Sequence, residues 1–133
     1  MTFPRSAQIS LVNTPYYHCI ARCVRRAFLC GHDRYTGRSF NHRRQWLVDR
    51  ISLQADVFGI DVCAYAVMGN HYHLVLKVDK QLVTALSDFE VLRRWTRIFR
   101  GPLLIRRYLD GWSLSGAEMQ TVCEIAAVWR RRL

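Results

Sequence analysis

A chain of 133 residues and 15.6 kDa has room for one compact core and is too short for two independent ones. Half of its residues are apolar and 12% aromatic, with only 3 prolines and 7 glycines, which excludes a disordered tail. Twenty Lys and Arg against ten Asp and Glu give a formal net charge of +10, a balance that predicts attraction to polyanions and salt-sensitive association.

Nearly all of the basic residues are arginine, with lysine only at Lys77 and Lys80. The guanidinium fork matches phosphate oxygens and stacks on bases, so nucleic acid is the expected partner, and a solvated basic surface is the plainer alternative. No apolar run approaches the roughly 20 residues of a spanning helix. The first ten residues, MTFPRSAQIS, lack a charged-then-apolar signal layout, so the expected address is cytoplasmic, with no membrane partner. Five cysteines, Cys19, Cys23, Cys30, Cys63 and Cys123, form no disulfide-like framework and fit a reducing compartment in which buried thiols act as small apolar groups.

In chain order, residues 14–24 (TPYYHCIARCV) follow the alternation of a first strand, with Tyr16, His18, Ile20 and Arg22 on one side and Tyr17, Cys19, Ala21 and Cys23 on the other. Residues 25–39 hold two glycines and four arginines (Arg25, Arg26, Arg34, Arg38) and read as an exposed basic connection facing DNA. Residues 41–58 place Trp46, Leu47, Ile51, Leu53, Ala55, Val57 and Phe58 at helical spacing, and Gly59 stops that helix. Two apolar runs of strand length follow, 60–67 and 71–78, joined by Met68-Gly69-Asn70 in a hairpin.

Beyond Asp79 the period is helical again through Phe99, broken at Ser87-Asp88 and ended by Gly101-Pro102. Residues 103–112 are ambiguous, and Ser115 to Glu118 has capping-box spacing at the start of a last helix, 117–133. The expected fold is α/β in the α+β sense: a ferredoxin-like split βαβ antiparallel sheet with helices on one face and the other face open, plus a C-terminal helical segment. We read residues 1–133 as one domain with its core at about 10–100, and 103–133 as a helical extension that ends without a Gly or Pro stop and so reads as incomplete.

His71 and His73 stand two apart on a predicted strand, so both imidazoles project from one face and can chelate one metal, while Tyr72 points to the other face. An ordinary pair of surface or core histidines is the alternative. The run YAVMGNHYHLVL resembles the His–hydrophobic–His signature of insertion-sequence transposases of the single-tyrosine HUH class, with Met68, Asn70, His71, His73 and Leu74 in matching places. Upstream, TPYYHCIARCVRRAFLCG resembles the "y-H-x-x-x-R" first strand of the branch related to REP-associated tyrosine transposases. The resemblance covers about residues 10–80.

That resemblance implies DNA transposition: two histidines and a third polar side chain hold Mg²⁺ or Mn²⁺, and a tyrosine cleaves and rejoins single-stranded or hairpin DNA through a phosphotyrosine intermediate. It places His71 and His73 as metal ligands, and His18 and Asn70 near the DNA. Arg22, Arg25 and Arg26, clustered at the end of the first strand, are candidate phosphate contacts. The stretch after His73 holds one tyrosine, Tyr108, in the setting LLIRRYLDGW, which does not resemble the family's catalytic helix. Tyr108 is therefore expected to be a packing residue, and the nucleophile to be missing from a chain truncated at its C-terminus. A catalytically inactive DNA-binding remnant or regulator is the competing expectation, with the oligomeric state, monomer or homodimer, left open.

Three other patterns point elsewhere. Cys19, Cys23, Cys30 and His32 have a C-x3-C-x6-C-x-H spacing that a zinc site would need as two tight knuckles, and free thiols are the expectation. Trp95 among Arg93, Arg94, Arg97 and Arg100 has the aromatic-and-basic interleaving of single-strand binders, although Trp95 falls on the apolar stripe of its helix. An RNA-binding domain of the same topology predicts aromatic side chains on the open face where the histidines stand.

Overall fold

The computed structural model describes residues 4–24 and 28–133. Their elements run α1 (Arg5–Gln8), β1 (Tyr16–Arg22), α2 (His42–Val57), β2 (Ile60–Val67), β3 (His71–Val78), α3 (Lys80–Ala85), α4 (Asp88–Thr96), α5 (Leu103–Leu109) and α6 (Gly116–Arg130). The class is α+β, with one antiparallel sheet in the order β1-β3-β2. Strand, helix and hairpin follow as expected, but no fourth strand occurs among the described residues, so the ferredoxin-like pattern stops at three. The contacts divide the chain into two compact units, one running to Ala55 and including Ile60–Asp79, the other made of Asp56–Gly59 and Lys80–Leu133. The boundary falls at Asp79/Lys80, where the sequence reading has a single domain with an extension from 103.

In the first unit β3 is the central strand, and its pairs sort the side chains of all three strands onto two faces. One face carries Tyr16, His18, Ile20 and Arg22 of β1, His71, His73, Val75 and Lys77 of β3, and Asp61, Ala64 and Ala66 of β2. The other carries Tyr17, Cys19 and Ala21, then Tyr72, Leu74, Leu76 and Val78, then Ile60, Val62, Tyr65 and Val67. Simple alternation along β2 would put Asp61, Cys63, Tyr65 and Val67 together; a bulge between Val62 and Ala64 leaves Cys63 unpaired and reverses the phase.

The turn between β2 and β3 is held by the segment that follows β1. Leu29 N–H and Cys30 N–H both donate to the Gly69 carbonyl at 2.7 and 3.1 Å, Cys23 N–H donates to the Asn70 carbonyl at 2.8 Å, and the Cys30 thiol donates to the Met68 carbonyl at 3.2 Å. Gly31, at φ +97°, turns the chain where an added Cβ would lie 3.9 Å from Gly69 Cα. Residues 32–39 then fold back through a single His32–Ser39 bridge. The Asp33 carboxylate is their hub, accepting from Tyr35 N–H at 2.9 Å and from the Thr36 hydroxyl at 2.6 Å. The expected basic connection is thus, where described, an ordered turn.

The second unit is helical. Ser87 caps α4 by accepting from Glu90 N–H, which is why the helical period breaks there. The Ser115–Glu118 capping box forms as its spacing requires, and the ambiguous stretch from 103 is helical as α5. Leu92, Ile105, Val122 and Ala126 make the buried core, with Tyr108, Leu114, Ile125 and Trp129 packed around it. Trp95 is 8% exposed and donates its indole N–H to the Trp129 carbonyl at 2.8 Å, so it is a core residue as its stripe position requires. Arg130 ties α6 to the α3–α4 junction through the Val83 and Leu86 carbonyls and the Asp88 carboxylate.

Two packing expectations change. Trp46, on the apolar stripe of α2, is 64% exposed and sets its ring against the edge of His42, one turn back. Of the five thiols only Cys30 is buried, whereas Cys19, Cys63 and Cys123 are exposed.

Leu92→Ala, which empties the centre of the helical core, should lower unfolding free energy by about 3 kcal/mol in a urea titration. The two hydrogen bonds hold the Asp33 carboxyl below its ordinary range. Its charged form therefore favours the folded turn above the ordinary carboxylate pKa, and that contribution fades as pH falls through the lowered value. The protection factor of the Tyr35 amide, its exchange rate by NMR relative to the intrinsic rate at the same pH, should fall over that acid window in the wild type and be low and nearly flat in Asp33→Ala.

Candidate metal and nucleic-acid site

The first face of the sheet can be read in rows. Arg22 pairs with His71; Ile20, His73 and Ala66 form the next row; His18, Val75 and Ala64 the third; Tyr16, Lys77 and Asp61 the last. His18 is therefore diagonal to His73 across the β1–β3 ladder, within reach of a long side chain. The rings meet: His18 Nε2 and His73 Nδ1 are 2.9 Å apart, with ring centroids at 5.1 Å. His71 and His73 also have centroids 5.1 Å apart, at an interplanar angle of 73°. Three histidines thus form a continuous group, of which the H-x-H pair was legible from spacing and His18 from its strand face.

Each ring of the pair is held on its Nδ1 side. Asn70 Oδ1 lies 2.6 Å from His71 Nδ1, and an amide oxygen can only accept, so this bond places the proton on Nδ1 and leaves the Nε2 lone pair free. His18 Nε2 engages His73 Nδ1, and which of the two donates depends on the tautomers of the rings. Imidazoles that bind metal carry such a partner on the ring nitrogen away from the ion, which fixes tautomer and ring orientation. The donor set of His71 and His73 fits a divalent cation as two nitrogen ligands; imidazole suits borderline ions such as Zn²⁺ better than Mg²⁺, which prefers oxygen. Among the described residues no group of three or more His, Cys, Asp or Glu side chains is arranged to hold a metal ion. The same finding covers Cys19, Cys23, Cys30 and His32, which the structure does not gather.

Around the histidines the face is open. Ala64 and Ala66 flank them on β2 with side chains of one carbon, Ile20 and Tyr16 are exposed on β1, and Arg22 is exposed beside His71. At the far end Lys77 and Asp61 pair at 3.8 Å with both side chains in solvent, an interaction worth little to stability. Tyr17, Tyr65 and Tyr72, three of the sheet's four tyrosines, point to the opposite face, and Tyr16 stands on the histidine face.

Of the candidate DNA contacts, His18, Arg22 and Asn70 cluster here, with His18 and Asn70 serving first as partners of the other histidines. Arg25 and Arg26 lie outside the described residues. Tyr108 sits in the helical unit, which contains no histidine; it is half-buried on α5, packed on the Leu92–Ile105 core with its ring 6.1 Å from Phe89. In comparisons with known proteins, no family model, no curated sequence and no solved structure matches the chain. No helix among the described residues is long and apolar enough to cross a membrane.

A long-range ¹H–¹⁵N NMR spectrum at neutral pH should report His71 as the Nδ1–H tautomer. Asn70→Ala should shift it toward Nε2–H, and an unchanged spectrum in that variant would refute the role given to Asn70.

Proposed function

We propose that this chain binds single-stranded or hairpin DNA on the histidine face of its sheet, with a divalent metal at His71 and His73, in the manner of the HUH transposases its sequence resembles. The observation that carries the reading is the histidine pair on an open face with both Nδ1 atoms engaged, by Asn70 and by His18, and with the Nε2 lone pair of His71 left free. A bound divalent ion neutralises charge on the oxygens of a scissile phosphate.

The protein's own part is positioning. Asn70 and His18 hold the two imidazoles, so little ordering is left to be done when a phosphate arrives. Arg22, directly across the ladder from His71, offers a guanidinium to the adjacent phosphate oxygens. Ala64 and Ala66 leave the strand a flat approach. Strand cleavage needs a nucleophile as well, and Tyr108, with its ring against Phe89 and the helical core, is engaged in packing. The described residues thus support the phosphate-binding and metal-binding half of transposase chemistry, and the chain's role is binding DNA, as a member that acts with a tyrosine from elsewhere or as a regulator.

Free Mn²⁺ followed by electron paramagnetic resonance should show one ion bound per wild-type chain, with binding lost in His71→Ala and His73→Ala and weakened roughly 10- to 100-fold in Asn70→Ala. A labelled hairpin oligonucleotide should bind more tightly with Mn²⁺ than without, and should form no covalent adduct. An adduct that disappears in Tyr108→Phe would overturn the packing role of Tyr108, and hairpin binding indifferent to both metal and histidines would sink the site itself.

A further inference from the structure

The helical unit carries a second cluster that the histidine face does not use. Asp56, Arg93, Arg94 and Arg97 line a cavity of about 230 Å³. Arg93 and Arg94 in the last turn of α4 and Arg97 at its C-cap lie within one arc, while Val91, Leu92 and Trp95 occupy the buried side of the same helix. The guanidinium of Arg94 is fixed by its Nη1, which donates to the Asp56 carbonyl at 3.0 Å and to the Val57 carbonyl at 3.4 Å. Arg97 meets the Asp56 carboxylate at 3.2 Å, and Arg93 meets Glu90 at 3.0 Å.

Three cations here share two carboxylates, and Arg94 has carbonyl partners only. Like charges at 93 and 97, one turn apart, repel each other on a helix. Each guanidinium has five N–H donors, and the bonds to these neighbours occupy a single terminal nitrogen of each. The cluster therefore retains positive charge and further N–H donors on side chains that line a common space. That space is smaller than the roughly 300–1,000 Å³ pockets that enclose drug-sized ligands, so it suits one anionic group and not a whole nucleotide.

We propose that this arginine pocket receives a phosphodiester group of a single-stranded nucleic acid, a contact separate from the histidine face. The inference rests on the nucleic-acid reading above. It assigns Arg93 and Arg97 to the phosphate and Arg94 to positioning, since its guanidinium is tethered to the 56–57 backbone. Such a contact strengthens binding without reading bases.

The test is fluorescence anisotropy of the full chain with a labelled single-stranded oligonucleotide across a salt series, without divalent metal. Arg93→Gln/Arg97→Gln is compared with a charge-matched control, Arg131→Gln/Arg132→Gln, and thermal melting checks that both fold. The pocket variant should bind several-fold more weakly whatever the sequence, with a log–log salt slope shallower by about 1, and the control should keep the wild-type slope. If the double variant does not fold, Arg93→Gln alone, at a side chain 62% exposed, should show the same loss in smaller measure. Equal losses in control and pocket variants, or an unchanged slope in the pocket variant, would overturn the proposal while leaving nucleic-acid binding in place. Inorganic phosphate that raises the wild-type melting temperature but not the variant's, with oligonucleotide binding unaffected, would make this a small-anion site and also overturn it. A wild-type chain that binds no oligonucleotide defeats the broader reading together with this one.

Discussion

The pairing of β3 between β1 and β2 is the constraint from which the site follows. Because side chains alternate along a strand, a slip of one residue would carry His71 and His73 to the opposite face and bring Tyr72 out in their place. The register that pairs Ile20 with His73 and Arg22 with His71 is thus what sets His18 diagonal to His73. It is reinforced at the hairpin end, where the Gly69 carbonyl accepts two backbone N–H groups from the segment after β1. Those bonds come from residues more than 35 positions upstream, so the turn preceding the histidines is held by tertiary contacts as well as by its own geometry.

The two clusters of the molecule handle charge in contrasting ways. On the sheet, three imidazoles are organised by short side-chain hydrogen bonds, and selectivity for the ion proposed there would come from nitrogen chemistry and ring orientation. On α4, guanidinium groups with permanent charge are partly offset by Asp56 and Glu90 and keep a net positive field. Glu118 shows the reverse situation: the Ser115 amide and hydroxyl, with a smaller contribution from Arg107, lower its carboxyl below the ordinary range, so that its charge is absorbed by the cap it closes.

How far the sequence foretold this depends on how local the determining forces are. The hairpin strands were legible to the residue, since Gly59 and Met68-Gly69-Asn70 bracket two dense apolar runs. The break at Ser87 and the capping box at Ser115–Glu118 were legible for the same reason, each being a bond between residues three apart. The H-x-H pair and the face of His18 came from alternation alone. What escaped was set at a distance. The bonds from Asn70 and His18 to the other histidines depend on rotamers and cross-strand register, and the exposure of Trp46 depends on packing that helical periodicity does not encode. The Asp33-centred turn lay hidden in a stretch whose arginines and glycines read simply as loop, and the arginine pocket needed the 56–57 backbone brought beside α4.

The bulge in β2 has a consequence for chain length. Cys63 opposes no residue of β3, and the side chains before and after it already stand on the faces they would take in a regular ladder without it. At any other position of the hairpin, excising one residue would invert the downstream alternation. Here it would restore strict alternation and leave Asp61, Ala64 and Ala66 beside the histidines, exchanging local twist and bend for a flatter edge. Position 63 is thus the place in this sheet where the chain can shorten by a residue without turning itself inside out.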